Sequence, residues 1–113
     1  MEFSLVVAIF HRDKLAVVEE NLRGIGVRGI TVIKARGFGE DSLHRDILDH
    51  VLMDDEVKIE IYIGADQAER VATTVMNAAH TGFSGDGIVA ILPVQRVFSV
   101  RARAETVPNQ ARA

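Results

Sequence analysis

The chain opens with a block that is apolar at almost every position. Phe3 to Phe10 (FSLVVAIF) is short and rich in branched side chains. Without polar alternation, it predicts a strand buried on both faces or nearly so. From Arg12 the period changes: Leu15, Val18, Leu22 and Ile25 recur at helical spacing, Glu19, Glu20 and Arg23 fall on the other side, and Gly24 and Gly26 end the helix. Gly29 to Arg36 (GITVIKAR) alternates and predicts a second strand. Gly37-Phe38-Gly39 follows, and then Glu40 to Asp55 without a strand pattern. Val57 to Ile63 (VKIEIYI) alternates strictly and predicts a third strand. Asp66 to Ala79 predicts a second helix, with Val71, Val75 and Ala78 facing inward and Asp66 as its N-cap. Beyond a glycine-rich turn, Ile88 to Pro93 and Val94 to Val100 predict two more strands, and the polar stretch from Glu105, with Pro108, is expected to fray.

The predicted order is β-α-β, a long loop, β-α-β and one extra C-terminal strand. Two βαβ halves of similar length imply an α+β fold of the ferredoxin-like βαββαβ kind, with an antiparallel sheet and both helices on one face. A chain of 113 residues holds one such domain, placed at 1–104, with a flexible tail over 105–113. The sheet face away from the helices then needs a cover, most simply other copies of the chain around a closed symmetry axis.

Bulk properties narrow the function classes. A net charge of -3 gives no reason to expect nucleic acid or an anionic membrane as partner. There is no cysteine, hence no disulfide and no thiolate chemistry. The start Met1-Glu2-Phe3-Ser4 lacks a signal-peptide pattern, and no apolar run is long enough to span a bilayer, so a cytoplasmic protein without membrane insertion is expected.

Three segments could carry chemistry. Thr81-Gly82-Phe83-Ser84-Gly85-Asp86-Gly87 packs three glycines, two hydroxyls and a carboxylate between a helix end and a strand start. Glycines let successive N–H groups converge on an anion, whereas a plain helix C-cap and turn would need only Gly82. Both interpretations stand on this pattern alone, but a P-loop does not, because the terminal Lys-Ser/Thr is missing. Arg101 and Arg103 alternate on or just after the last strand and would point the same way, as would Lys34 and Arg36; such pairs suit phosphate or carboxylate, or serve as plain surface charge.

The segment 40–56 carries seven acidic residues against Arg45, about six of negative charge. Leu43, Ile47, Leu48, Val51 and Leu52 have helical spacing within it, which suits a partner-docking element or a solvated acidic loop. His44 and His50, with Asp46 and Asp49, are candidate metal ligands, although histidines six apart do not share a helix face. His11 and His80 lie at element ends, where a terminal hydrogen bond is the expected role. No nucleophile–base pair is present, so no enzyme is expected.

Four stretches, in order, resemble the PII signal-transduction family across nearly the whole chain. They are Gly24–Val32 (GIGVRGITV), Gly37-Phe38-Gly39, Val57–Ile61 (VKIEI) and Thr81–Gly87, the last similar to the family's B-loop. The resemblance implies a homotrimer of ferredoxin-like subunits binding adenine nucleotide in the clefts between neighbours. It also implies a T-loop, here about 37–56, that grips a transporter or enzyme. Carried over by position, Gly85, Asp86 and Gly87, with Thr81, would hold phosphates, and Gly37, Phe38 and Gly39 would line the same cleft. Gly29, Ile30 and Thr31 would approach from the neighbouring subunit, with Lys58, Glu60 and Tyr62 of the third strand. Arg101, assisted by Arg103, would neutralise phosphate across the interface.

The departures are specific. The lysine that follows the GDG of nitrogen-sensing members is Ile88, the glutamine two places after GFG is Asp41, a lysine before the third strand is Glu56, and one arginine of an R-x-R pair is Ser99. The T-loop is about four residues shorter and lacks the modifiable tyrosine. Replacing a contact cation by an anion at about 4 Å shifts an interaction by several kcal/mol at an effective dielectric of ~20. The expectation is therefore a divergent PII-like regulator that favours ADP or AMP over ATP with magnesium and 2-oxoglutarate, with bicarbonate as a candidate second effector. The alternative is a metal-responsive protein like the CutA family, which shares the trimeric architecture, using His44 and His50.

Overall fold

The computed structural model describes residues 2–36, 55–83 and 85–108. The acidic segment 40–54, the Gly37-Phe38-Gly39 run, His44, His50 and Ser84 lie outside the described residues.

The first apolar block forms β1 (Phe3–His11). A 3₁₀ turn, Arg12–Lys14, leads into α1 (Leu15–Gly24). Then come β2 (Thr31–Ala35), β3 (Glu56–Gly64), a second 3₁₀ turn over Ala65–Gln67, and α2 (Ala68–Ala79). β4 (Gly87–Val94) completes the main sheet, and β5 (Phe98–Ser99) and β6 (Ala104–Glu105) form a separate small hairpin. The main sheet has the order β2-β3-β1-β4 with every pair antiparallel, the ferredoxin-like arrangement.

β1 is central, paired along its whole length with β3 (Phe3↔Gly64 to His11↔Glu56) and from Phe3↔Val94 to Phe10↔Gly87 with β4. Its even positions Val6, Ala8 and Phe10 are buried, while Leu5, Val7 and Ile9 are half-buried. The expectation of two covered faces is thus corrected. Both helices lie on one side, and among the described residues no helix covers the apolar residues of the other side.

The period-2 pattern of β3 is realised directly. Val57, Ile59 and Ile61 join Val18 and Leu22 of α1 and Val71 and Val75 of α2 in the core. Full burial of one such side chain stabilises by about 1.5–3 kcal/mol, which is why the alternation fixes the register.

Three other expectations differ from the structure. Asp66 does not cap α2: it sits inside the second 3₁₀ turn, and the cap residue Gln67 makes no side-chain cap bond. The break expected at Pro93 does not occur, because β4 runs through it to Val94. β4 is an edge strand, where a residue without an N–H is tolerated. The extra strand expected over Val94–Val100 shrinks to Phe98–Ser99, and it pairs with β6 rather than joining the sheet.

Residues 105–108, assigned by composition to the tail, carry definite structure. Glu105 takes two hydrogen bonds from Arg96 (Nε to Oε2 3.0 Å, Nη2 to Oε1 2.9 Å), the Arg96 guanidinium lies 4.9 Å from the Phe98 ring centroid, and Pro108 is buried. A Cβ on Gly64 would come within 3.2 Å of Pro108 Cβ, so the chain end lies close over the end of β3.

The tightest backbone approach is at Gly87. Its φ is +117°, and a Cβ there would stand 2.0 Å from the Ile9 carbonyl oxygen on β1. Gly87→Ala is expected to cost about 2–4 kcal/mol, combining left-handed strain with an overlap only backbone displacement can relieve. Gly24→Ala, with nothing within 4 Å of the added carbon, should leave stability unchanged or slightly raised. Urea unfolding of both variants checks this, and equal midpoints would contradict it.

Candidate functional site

The Thr81–Gly87 loop joins the C-terminus of α2 to the first residue of β4. His80, extended at φ -63°, ψ 132°, ends the helix, and the chain then turns through Gly82 (φ +90°), Gly85 (φ +86°) and Gly87 (φ +117°). Each is a left-handed position that a side chain would strain, so all three glycines are required by the path.

The Asp86 carboxylate organises the loop from inside. Its Oδ2 accepts from the backbone N–H of Thr81 (3.0 Å) and of Gly82 (3.1 Å), and its Oδ1 accepts from the Thr81 hydroxyl. The Thr81 hydroxyl oxygen in turn accepts from the Phe83 N–H (3.1 Å). Two N–H groups at the start of the loop are therefore satisfied by Asp86 itself. Among the described residues, the N–H groups of Gly85 and Asp86 have no hydrogen-bond partner. Free donors in a glycine-flanked turn are what an anion needs.

The side chain of Asp86 is thus a brace, and the resemblance-based assignment of phosphate contacts to this residue can concern only its main chain. The same holds for Gly87: its missing Cβ is needed by the β1–β4 seam whether or not a ligand is present. Neither role was inferred from the sequence. A threonine five residues before an aspartate across glycines is the one trace of the first, and the second has no local trace.

The remaining candidates are distributed by the strand register. Gly87 lies opposite Phe10, Phe10 opposite Val57, and Val57 opposite Lys34, so the loop shares one end of the sheet with Glu56, Ala35 and Arg36. Glu56 is half-buried there, and Ile88, in the place of the family's lysine, is 66% exposed. Thr31 lies opposite Glu60, with Tyr62 two residues further from that end. Arg101 and Arg103 sit in the turn of the β5–β6 hairpin, which follows the end of β4 at Val94, about 23 Å along the strand from Gly87 at 3.3 Å per residue.

The arginines come just after β5, as one of the expected placements had it, but in a turn where strand alternation does not apply. Arg103 has φ +55°, its N–H donates to the Ser99 carbonyl (2.8 Å), and the Ala102 N–H donates to Ser99 Oγ (3.1 Å). Ser99 thus ties the hairpin turn. Both arginines are exposed and make no ion pair among the described residues. One protomer therefore does not bring the loop together with Gly29–Thr31 or with the arginines.

His11 does what an element-end histidine was expected to do: its Nδ1 accepts from the Asp13 N–H (3.3 Å) and lies 3.5 Å from the Asp13 carboxylate. Arg12 ties down the start of β3, its N–H donating to the Asp55 carbonyl (2.8 Å) and its guanidinium 3.0 Å from Asp55 Oδ1. No group of three or more metal-ligating side chains occurs among the described residues, and none of their helices is long and apolar enough to cross a membrane.

Comparison with known proteins decides what the geometry leaves open. The profile of the family described as Nitrogen regulatory protein P-II matches residues 3–104. The chain belongs to the P-II family. Among its relatives, the nitrogen regulatory protein P-II of Azospirillum brasilense is 36% identical over 100 residues, covering 85% of this chain and 89% of the relative. The nitrogen regulatory protein GlnK of Escherichia coli (strain K12) is 37% identical over 101 residues, 86% and 90% of the two chains. A crystal structure of Arabidopsis thaliana PII bound to citrate superposes with a TM-score of 0.78 at 36% identity, covering 97% of this chain and 92% of that one. As a P-II protein the chain is a signalling regulator.

The hydrogen bond from the Thr81 hydroxyl, followed by that from the Thr81 N–H, holds the Asp86 carboxyl below its ordinary value. A carboxyl so depressed stabilises the closed loop above its ordinary value, near 4, and loses that contribution as pH falls through the depressed one. The Asp86 carboxyl resonance is expected to titrate below the other exposed aspartates and to return toward them in Thr81→Ala. Identical titrations in the two proteins would contradict the brace.

Proposed function

We propose that this P-II protein is an allosteric sensor that binds an adenine nucleotide in clefts between the subunits of a homotrimer and changes the fit of its T-loop, about 37–56, to a transporter or metabolic enzyme. The observation that carries this reading is the Thr81–Gly87 loop, braced by Asp86 with the Gly85 and Asp86 N–H groups left as donors. The spread of the other candidates supports an inter-subunit cleft. The loop enters β4 at Gly87, whereas the hairpin that carries the arginines follows the far end of β4 at Val94, which supports their meeting across copies. The uncovered apolar sheet face supports association of this kind.

In this cleft the backbone of Gly85, Asp86 and Gly87 holds phosphate oxygens, with Gly37, Phe38 and Gly39 alongside, and Thr81 acts through its bonds to the Asp86 carboxylate. Gly29, Ile30 and Thr31 of a neighbour, with Lys58, Glu60 and Tyr62 of β3, flank base and ribose. Arg101, helped by Arg103, neutralises the phosphates. With Ile88, Glu56 and Asp41 where cations and a neutral ligand stand in nitrogen-sensing members, ADP or AMP is favoured over ATP with magnesium and 2-oxoglutarate. That a related PII is bound to citrate supports a small carboxylate-like second effector, for which bicarbonate is the candidate.

Titration calorimetry tests this directly. ADP and AMP are expected to bind, with no further affinity for ATP gained from magnesium and 2-oxoglutarate. Arg101→Ala should weaken ADP about 10- to 100-fold, the range of a lost charge-assisted hydrogen bond. Absence of binding by AMP, ADP and ATP alike would sink the reading.

A further inference from the structure

The sheet face opposite the helices carries three charged residues in an apolar setting: Glu56 at the start of β3, opposite His11 and Ala35, and two more in its middle. Ile33, Tyr62, Ile88 and Leu92 are between 41% and 66% exposed there. In the middle of β3, on the same face, stand Lys58 and Glu60. Lys58 lies opposite Ile9 on one side and Ile33 on the other, and Glu60 opposite Val7 and Thr31. Their side chains meet at 3.4 Å (Nζ to Oε2), and neighbouring residues already cover them so far that they are 37% and 26% exposed.

Covering this face removes both charges of the pair from water. An ammonium has three donors and a carboxylate about four acceptor positions, and the pair uses one of each. Unused capacity that is buried against an apolar partner is costly, because a charge stripped of water needs a partner of opposite sign. A second copy of this chain supplies both signs from the same position of the same face, and around a closed cyclic axis every Lys58 can find a neighbour's Glu60. A chain with an apolar face but without this pattern cannot.

We propose that the Lys58–Glu60 pair is the element by which this face selects further copies of its own chain, in one register, over other chains with an exposed apolar sheet. The proposal rests on the homotrimer reading above, and its test separates the two. Wild-type and Lys58→Glu/Glu60→Lys chains, one isotopically labelled, are co-refolded without nucleotide and weighed by native mass spectrometry. Each is expected to form trimers with itself and to avoid mixed trimers, because a mixed contact sets like charges against each other. In a second series, Lys58→Met and Glu60→Met should each raise the trimer dissociation midpoint tenfold or more, and the double Met variant should return to within about threefold of wild type. A wild-type chain that stays monomeric overturns both the homotrimer and the selection. Wild-type trimers that mix at random with the reversed chain, or Met substitutions whose effects simply add, overturn the selection alone.

Discussion

The structure depends on the main-chain seam between β1 and β4. β1 is hydrogen-bonded on both edges, so its register cannot shift without breaking two ladders at once. β4 enters that seam at Gly87, where the backbones come so close that the space of one methyl group is already taken by the Ile9 carbonyl. The position that closes the sheet is also the last residue of the glycine loop. The geometry of the loop is thereby anchored to the most constrained strand of the domain, and a rigid scaffold is what a preformed set of N–H donors requires.

From that anchor the rest of the site follows by strand arithmetic. The loop stands at the Phe10 end of the sheet, and the hairpin with the exposed arginines follows the other end of β4. On the proposed reading these are two halves of one site completed by a neighbouring copy. The uncovered sheet face is in keeping with this. Its apolar residues have no helix over them, and its one described ion pair is already partly withdrawn from water.

The charge balance around the loop follows from what its own groups already do. Asp86 is committed to the loop's own N–H groups and hydroxyl, so its negative charge is in part compensated before any ligand arrives. Ile88 and Glu56, on the same end of the sheet, add no cation. The Ser99 hydroxyl ties the turn that carries Arg101 and Arg103 at a hairpin tip. The donors offered by the loop are therefore backbone N–H groups, which on the proposed reading meet a phosphate by geometry more than by net charge.

Much of the fold was legible in the residues alone. The strict alternation of Val57, Ile59 and Ile61, the helical spacing of Val18 and Leu22, and that of Val71 and Val75 depend only on local period, and all seven lie in the core. The glycines of the 81–87 loop were legible for the same reason, since left-handed backbone is a local demand. Asp66 as a cap, Pro93 as a break and a strand-like alternation of Arg101 with Arg103 were misjudged, because each depends on how the chain enters its neighbours: through a 3₁₀ turn, along a sheet edge, or around a hairpin. The sequence by itself determined the elements, their order and the residue types of an anion loop. Only the tertiary structure decided that Asp86 braces this loop from within, that Gly87 is demanded by a strand distant in sequence, and that Lys58 and Glu60 share an open apolar face. The reason is physical: period and turn chemistry act over a few residues, whereas close backbone approach and the sharing of a face are set by contacts between segments that the chain brings together only when it folds.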